Sequence, residues 1–136
     1  MSDEGPVGIV LVSHSGPVAT AVADLARGLA GPDACAPVAA AGGTPDGGLG
    51  TSADLIAAAA RSVDRGAGVA LLVDLGSAVL TVKTLLADED ELPPGSRLVD
   101  APLVEGAVAA VVTASAGADL DAVQAAAREA YAYRKE

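Results

Sequence analysis

Residues 7–16 read VGIVLVSHSG and set an unbroken apolar run against His14, the only histidine of the chain. Polar residues never alternate with apolar ones over 7–13, so the run reads as a strand buried on both faces, the habit of a parallel sheet. From Ser15 or Gly16 onward, Val18, Val22, Leu25, Ala26 and Leu29 recur at helical spacing, and Gly31-Pro32 stops the pattern after Ala30. Strand, tight junction and helix follow one another, with the imidazole at the junction.

The alternation continues outward from this unit. CAPVAAAG at 35–42 is a weaker, alanine-rich strand that runs into GGTPDGGLG at 42–50, where Gly, Pro and Asp predict a long, mobile surface loop. Thr51 or Ser52 then caps a helix whose apolar face holds Leu55, Ile56, Ala59 and Val63 and which ends near Gly66. GVALLVDLG at 68–76 predicts another fully buried strand, and SAVLTVKTLLADEDE at 77–91 a helix dissolving into an acidic turn before Pro93-Pro94-Gly95. SRLVDAP at 96–102 predicts a short strand, LVEGAVAAVVTASAG at 103–117 an apolar helix, and the segment from Ala118 a final helix. Together these predict an α/β fold, doubly wound, with a mainly parallel central sheet and helices on both faces. The 136 residues fit a single domain, with its core over about 6–132 and no internal repeat or linker.

Composition narrows the partners. Phe and Trp are absent and Tyr131 and Tyr133 are the only aromatics, so the core must be Ala, Val and Leu, and platforms for stacking bases or sugars are excluded. The tyrosines are expected at the edge of the core or at a subunit contact. A formal charge of −10 argues against nucleic acid and anionic membranes, both of which need clustered Lys and Arg, and leaves a basic protein partner open. Cys35 is the lone cysteine, expected as a small buried residue; it can form no intrachain disulfide, and a Cys-His metal site lacks ligands. The N-terminus is acidic where a signal peptide is basic, and its apolar run is too short for a bilayer. The expectation is a cytoplasmic protein that begins near Met1.

In a doubly wound sheet, chemistry collects beyond the C-terminal ends of strands, at the point where successive crossovers reverse direction. His14 and Asp74 both end apolar runs. A helix starting just after His14 offers free N–H groups and a positive dipole end to an anion, and the same field disfavours the imidazolium. A neutral imidazole is a competent nucleophile. Gly16 lets a substrate group approach the backbone, while Ser13 or Ser15 is placed to donate hydrogen bonds to phosphate oxygens. Asp74, on a neighbouring strand, can accept from one ring N–H, fix the tautomer and present the other nitrogen outward. The pair suggests a transient phosphohistidine that needs neither a separate general base nor a metal.

Plainer roles fit the same residues: a strand-end His is often structural, and an Asp before Leu-Gly is often a turn residue. Other motifs fail on their parts. GGTPDGGLGTS lacks the P-loop lysine and the GxGxxG order of a dinucleotide fingerprint. Ser13 and Ser15 are not in a GxSxG elbow. DEDE at 88–91 reads as a solvated helix end. Arg61, Arg65 and Lys83 are the cations left to approach His14 through the fold.

GIVLVSHS, GGTPDGGLGTSADLI, LLVDLGSAVLTVKTLL and APLVEGAVAAVVTASAGADLDAV, in this order across nearly the whole chain, resemble the DhaM family of phosphotransferase subunits in bacterial dihydroxyacetone kinases. The first domain of that family is similar to enzyme IIA of the mannose phosphotransferase family. The resemblance implies a usually dimeric, doubly wound fold with His14 phosphorylated and Asp74 beside it. It implies a phosphoryl route from phosphoenolpyruvate through enzyme I and the carrier HPr to this domain, then to ADP held on DhaL for phosphorylation of dihydroxyacetone on DhaK. No cofactor is implied on this chain. Some members continue into HPr-like and enzyme I-like domains; this sequence stops at YAYRKE and is expected to use a separate HPr. Gly42, Gly43 and Thr44, opening the loop beside the first strand's end, are expected to contact a partner. Two alternatives remain open: an enzyme IIA that hands phosphate to a sugar-specific enzyme IIB, and a regulatory domain that binds a partner without turnover. Transfer between two proteins also implies a shallow site, so the largest concavity is expected to lie elsewhere. Residues 103–114 are apolar enough to suggest a face only partly buried by this chain itself.

Overall fold

Among the described residues, four strands alternate with helices: β1 (Gly8–Ser13), α1 (Gly16–Ala30), β2 (Val38–Gly42), α2 (Ala53–Val63), β3 (Val69–Val73), α3 (Gly76–Ala87), β4 (Ser96–Val99), α4 (Leu103–Ser115) and α5 (Leu120–Glu129). The computed structural model describes residues 5–31 and 33–136. The expectations placed on residues 1–4 and on Pro32 lie outside the described residues. The strands form one sheet in the order β2-β1-β3-β4, every pair parallel, with Val12 opposite Val73 at the top of the central pair.

All of β1 is buried. Because side chains alternate across a strand, Ile9 and Leu11 enter the layer made with α1, α4 and α5, whereas Val10 and Val12 enter the layer made with α2 and α3. β3 divides likewise, with Ala70 and Leu72 in the first layer and Val69 and Leu71 in the second. The sheet is thus covered on both faces, as the unalternating apolar runs require.

Local signals set the element ends. Ser15 caps α1 by accepting from the Val18 N–H at 3.3 Å, with Pro17 in the first turn, and Gly31 at φ +90° closes the helix. Ser52, not Thr51, caps α2, and Asp119 caps α5. The final helix stops at Glu129 and tightens into a 3₁₀ turn, Ala130–Ala132.

Residues 103–114 are covered on one side only, as their apolar character suggests: Ala107, Ala110, Val111 and Ala114 are fully buried with residues of α1 and α5, whereas Leu103 and Val108 are half-buried and Val104 and Val112 are exposed. Tyr131 and Tyr133 lie outside the core, 62% and 54% exposed, and the Tyr131 hydroxyl donates to Asp100 at 2.5 Å. One expectation changes: Cys35, expected buried, is half-buried against the first layer. Among the described residues, no helix is long and apolar enough to cross a membrane.

Leu11 is among the larger fully buried side chains in a core otherwise rich in Ala and Val. Leu11→Ala should cost about 2–5 kcal/mol, because small neighbours have no side-chain length with which to fill the void. Urea unfolding checks this; a loss under about 1 kcal/mol would contradict the packing described.

Candidate functional site

β1 and β3 are neighbours, yet β1 is followed by β2 on one side and β3 by β4 on the other. Their C-terminal ends therefore flank the reversal point of a doubly wound sheet. The ladder continues one step past β3, the Asp74 N–H donating to the Val12 carbonyl at 3.1 Å, and this delivers Asp74 next to His14. The His14 Nδ1–H donates to Asp74 Oδ1 at 2.9 Å, and the His14 backbone N–H to Oδ2 at 3.0 Å. The Ser13 hydroxyl donates to Oδ2 at 2.8 Å and the Leu75 N–H to Oδ1 at 2.7 Å, so both oxygens are doubly engaged.

Burial acts to raise the Asp74 pKa, but donation from the His14 backbone and ring, the Ser13 hydroxyl and the Leu75 N–H outweighs it and holds the carboxyl below its ordinary value. An ionised carboxylate can only accept. Nδ1 consequently carries the ring proton, and the lone pair of the neutral imidazole is on Nε2. The His14 side chain is 24% exposed. Nε2 is met by the Ser77 hydroxyl, from the second residue of α3.

Ser77 was not among the residues singled out from the sequence. Its signal was Asp-Leu-Gly-Ser, a serine in the first turn of a helix that starts directly after Asp74. Of the expected phosphate ligands, Ser13 occupies a different place: it is 1% exposed, its proton goes to Asp74, and its oxygen accepts from the Ser15 N–H at 3.1 Å. Ser13 braces the carboxylate. Ser15 and Gly16 are part-exposed at the start of α1 beside His14. Since α3 begins at the same point, two helix N-termini converge there with first-turn N–H groups that have no intrahelical acceptor.

The glycine loop completes the rim. A Cβ on Gly42 would stand 2.4 Å from the Ser15 carbonyl oxygen, so only glycine lets the end of β2 pass this close to the start of α1. Gly43, at φ +70°, is buried and donates to the Ser13 carbonyl at 3.1 Å, while the Gly50 N–H donates to the His14 carbonyl at 2.9 Å. Thr44 turns the loop through its bonds with Gly47 and Gly48. The predicted surface loop is thus pinned at both ends, and its outward part is residues 45–49.

Arg61 binds the Glu91 carbonyl, and Arg65 the Ser62 and Asp64 carbonyls, at the end of α2 that leads into the start of β3, whereas His14 lies past the C-terminal ends of the strands. Lys83 lines a groove with Val73, Val79, Leu98 and Asp100. A cleft of about 440 Å³ beside Gly66, Gly95 and Leu120, and one of about 400 Å³ beside Arg61 and Pro93, hold neither His14 nor Asp74.

A half-buried histidine, oriented by an aspartate at the reversal point of a 2-1-3-4 parallel sheet, is the arrangement of a phosphotransferase-system enzyme IIA domain. The family model EIIA-man, described as "PTS system fructose IIA component", matches residues 8–124, and the chain belongs to this family. It is 41% identical over 121 residues to the PEP-dependent dihydroxyacetone kinase phosphoryl donor subunit DhaM of Escherichia coli (strain K12), covering 86% of this chain and 25% of that protein. It is 36% identical over 107 residues to the corresponding subunit of dihydroxyacetone kinase 2 of Listeria innocua serovar 6a, covering 78% and 84%. The chain spans about a quarter of the length of the Escherichia coli relative. A crystal structure of a protein of unknown function matches with a TM-score of 0.76 at 32% identity, covering 91% of this chain and 94% of that one. A sigma-54 interaction domain protein from Enterococcus faecalis, with a TM-score of 0.71 at 17% identity and coverage of 96% and 93%, shares the fold alone.

The Asp74 pKa is depressed on folding, so its contribution to stability is complete above the ordinary value near 3.8 and is lost as pH falls through the folded value. Asp74→Asn, which replaces one acceptor oxygen by an NH2 donor facing donors, should cost about 1–3 kcal/mol at neutral pH. It should also remove part of the acid-range fall in stability. Unfolding followed from pH 7 to pH 2 checks this; identical pH profiles for the two proteins would contradict the assigned ionisation.

Proposed function

We propose that the chain is a phosphocarrier domain that accepts a phosphoryl group on His14 Nε2 and passes it on. The observation that carries this is the Asp74–Nδ1 hydrogen bond at 2.9 Å, which leaves Nε2 as the outward nucleophile between two helix N-termini. In the first transfer the Nε2 lone pair attacks phosphorus as the donor's bond to phosphorus breaks, and that electron pair stays with the donor. Positive charge growing on the ring is offset by the Asp74 carboxylate, which also holds Nδ1–H in place. The Ser77 hydroxyl, the Ser15 hydroxyl and the first-turn N–H groups are placed to bond the phosphoryl oxygens, with Gly16 keeping the approach open.

The names of the DhaM relatives support a dihydroxyacetone kinase as the destination. In this reading phospho-HPr is the donor, and ADP on DhaL within the DhaK-DhaL system is the acceptor; ATP forms and Nε2 regains its lone pair. The domain needs no cofactor of its own, works in the cytoplasm, and pairs as a homodimer. Gly42, Gly43 and Thr44 serve partner contact by shaping the loop that presents residues 45–49. A second reading, an enzyme IIA that hands phosphate to an enzyme IIB, is favoured by the fructose-system description of the family.

Intact-protein mass after incubation with phosphoenolpyruvate, enzyme I and HPr should show one acid-labile phosphoryl group on the native chain and none on His14→Ala. Addition of DhaL-ADP should discharge it. Discharge only by an enzyme IIB would select the second reading, and no labelling by competent partners would select a regulatory domain without turnover.

A further inference from the structure

Among the described residues ten large apolar side chains are exposed, and half of them crowd the seam between α1 and α4: Val18, Leu25, Leu29, Val104 and Val112, each more than 40% exposed. On α1 the first three follow one another at steps of seven and four, and so share one side of the helix. That side faces α4, because the opposite side faces the free edge of β2: Arg27 donates to the Val38 carbonyl at 2.6 Å, and Gly16 and Thr20 line a groove with Ala39 and Gly42. On α4, Val104, half-buried Val108 and Val112 recur every four residues on the side of Ser115, whose hydroxyl accepts from the Ala36 N–H, just ahead of β2, at 2.8 Å. The two stripes therefore border each other where α1 packs on α4. Single exposed valines and leucines are ordinary, but five along one pair of packed helices form a contact surface.

Charge selects the occupant. Residues 16–31 and 103–115 hold three charged side chains, and each is already paired: Asp24 with Arg27 at 3.0 Å, and Glu105 with Lys135 at 3.1 Å. The seam is thus neutral on a chain at −10, so a basic partner gains nothing there, whereas two copies of so acidic a chain approach most readily at such a face. A twofold contact also needs a face that complements itself. Exposed Ala21 and Gly28 leave gaps on the outer row of α1 beside the protruding Leu25 and Leu29, and a Cβ at Gly28 would meet nothing within 4 Å. One surface therefore carries both knobs and holes. We infer that two copies of this chain join through the α1–α4 seam, with Leu25 and Val112 in the contact. The inference rests on the homodimer reading and gives it a surface. His14 stays clear of that surface: Nε2 meets Ser77 of α3, and α3 packs in the layer on the other face of the sheet. Both subunits are then free to carry a phosphoryl group at once, and neither lends a residue to the other's site.

The test is sedimentation of the full chain over about 1 to 100 μM, where a helix-pair contact of this size should dissociate. The native protein should pass from monomer to dimer as its concentration rises. Leu25→Glu/Val112→Glu, which sets like charges against each other across a twofold contact, should raise the dissociation constant about tenfold or more. Leu29→Ser, a milder change at an exposed position, should weaken the dimer in the same direction and keeps the test sound if the double variant melts early. Leu80→Glu, which adds the same charge to the exposed side of α3, should dimerise as the native protein does. Labelling of the double variant by phospho-HPr should stay within about twofold of native. A dimer that survives the seam substitutions, or one that Leu80→Glu dissociates in their place, overturns the seam and leaves the homodimer reading standing. Loss of labelling in the folded, monomeric variant overturns the independence of the two sites. A native chain that stays monomeric over the whole range overturns the seam and the homodimer reading together.

Discussion

The pairing of β1 with β3 is the constraint on which the rest depends. Val12 opposite Val73 brings two strand ends together, and the Asp74 N–H bond to the Val12 carbonyl extends the ladder to the functional pair. A strand cannot slip by one residue in the ladder without sending its side chains to the opposite face, and here both faces are buried in separate layers. The energy that fixes the register is the burial of Ile9, Leu11, Leu71 and Leu72. The position of a carboxylate 2.9 Å from an imidazole nitrogen is its consequence.

Small residues set the fineness of the site. With no Phe or Trp to fill space, the helices pack through alanine, and the backbone of β2 passes close to the start of α1 because Gly42 has no side chain. This closeness lets Gly43 and Gly50 bind the carbonyls of Ser13 and His14, so the loop that looks loose in sequence is tied to the histidine it overhangs. A loop and two helix N-termini thereby share one backbone frame.

Electrostatically the site is strong at the ring and weak around it. The buried Ser13 hydroxyl, two backbone N–H groups and the ring hold Asp74 ionised, and that fixes which nitrogen is free. Beyond the ring there are helix dipoles and exposed leucines but no cation in the adjoining segments. The resulting surface can orient a nucleophile by itself but depends on something else to balance a full phosphoryl charge, which suits a carrier that must also release its cargo.

Much of this was legible in the linear chain. Apolar runs bounded by His14 and Asp74 marked the two central strands, and the cap signals at Ser15 and Ser52 lay within a residue or so of the helix starts. Residues 103–114 read as a segment this chain covers only in part, and they are: α1 and α5 bury Ala107, Ala110 and Val111, while Val104 and Val112 stay exposed. Ser13 reads as a phosphate ligand and Ser77 escapes notice for one reason: where strand pleat and helix phase direct a hydroxyl at a junction, to Asp74 for Ser13 and to the ring for Ser77, is not encoded in local pattern. The sequence by itself determined the order of strands and helices, the all-aliphatic core and the candidacy of His14 and Asp74, because these follow from periodicity and residue chemistry. Only the tertiary structure decided that these two residues touch, and that Ser13 serves the carboxylate and Ser77 the ring. Those relations join segments up to some sixty residues apart through one sheet register.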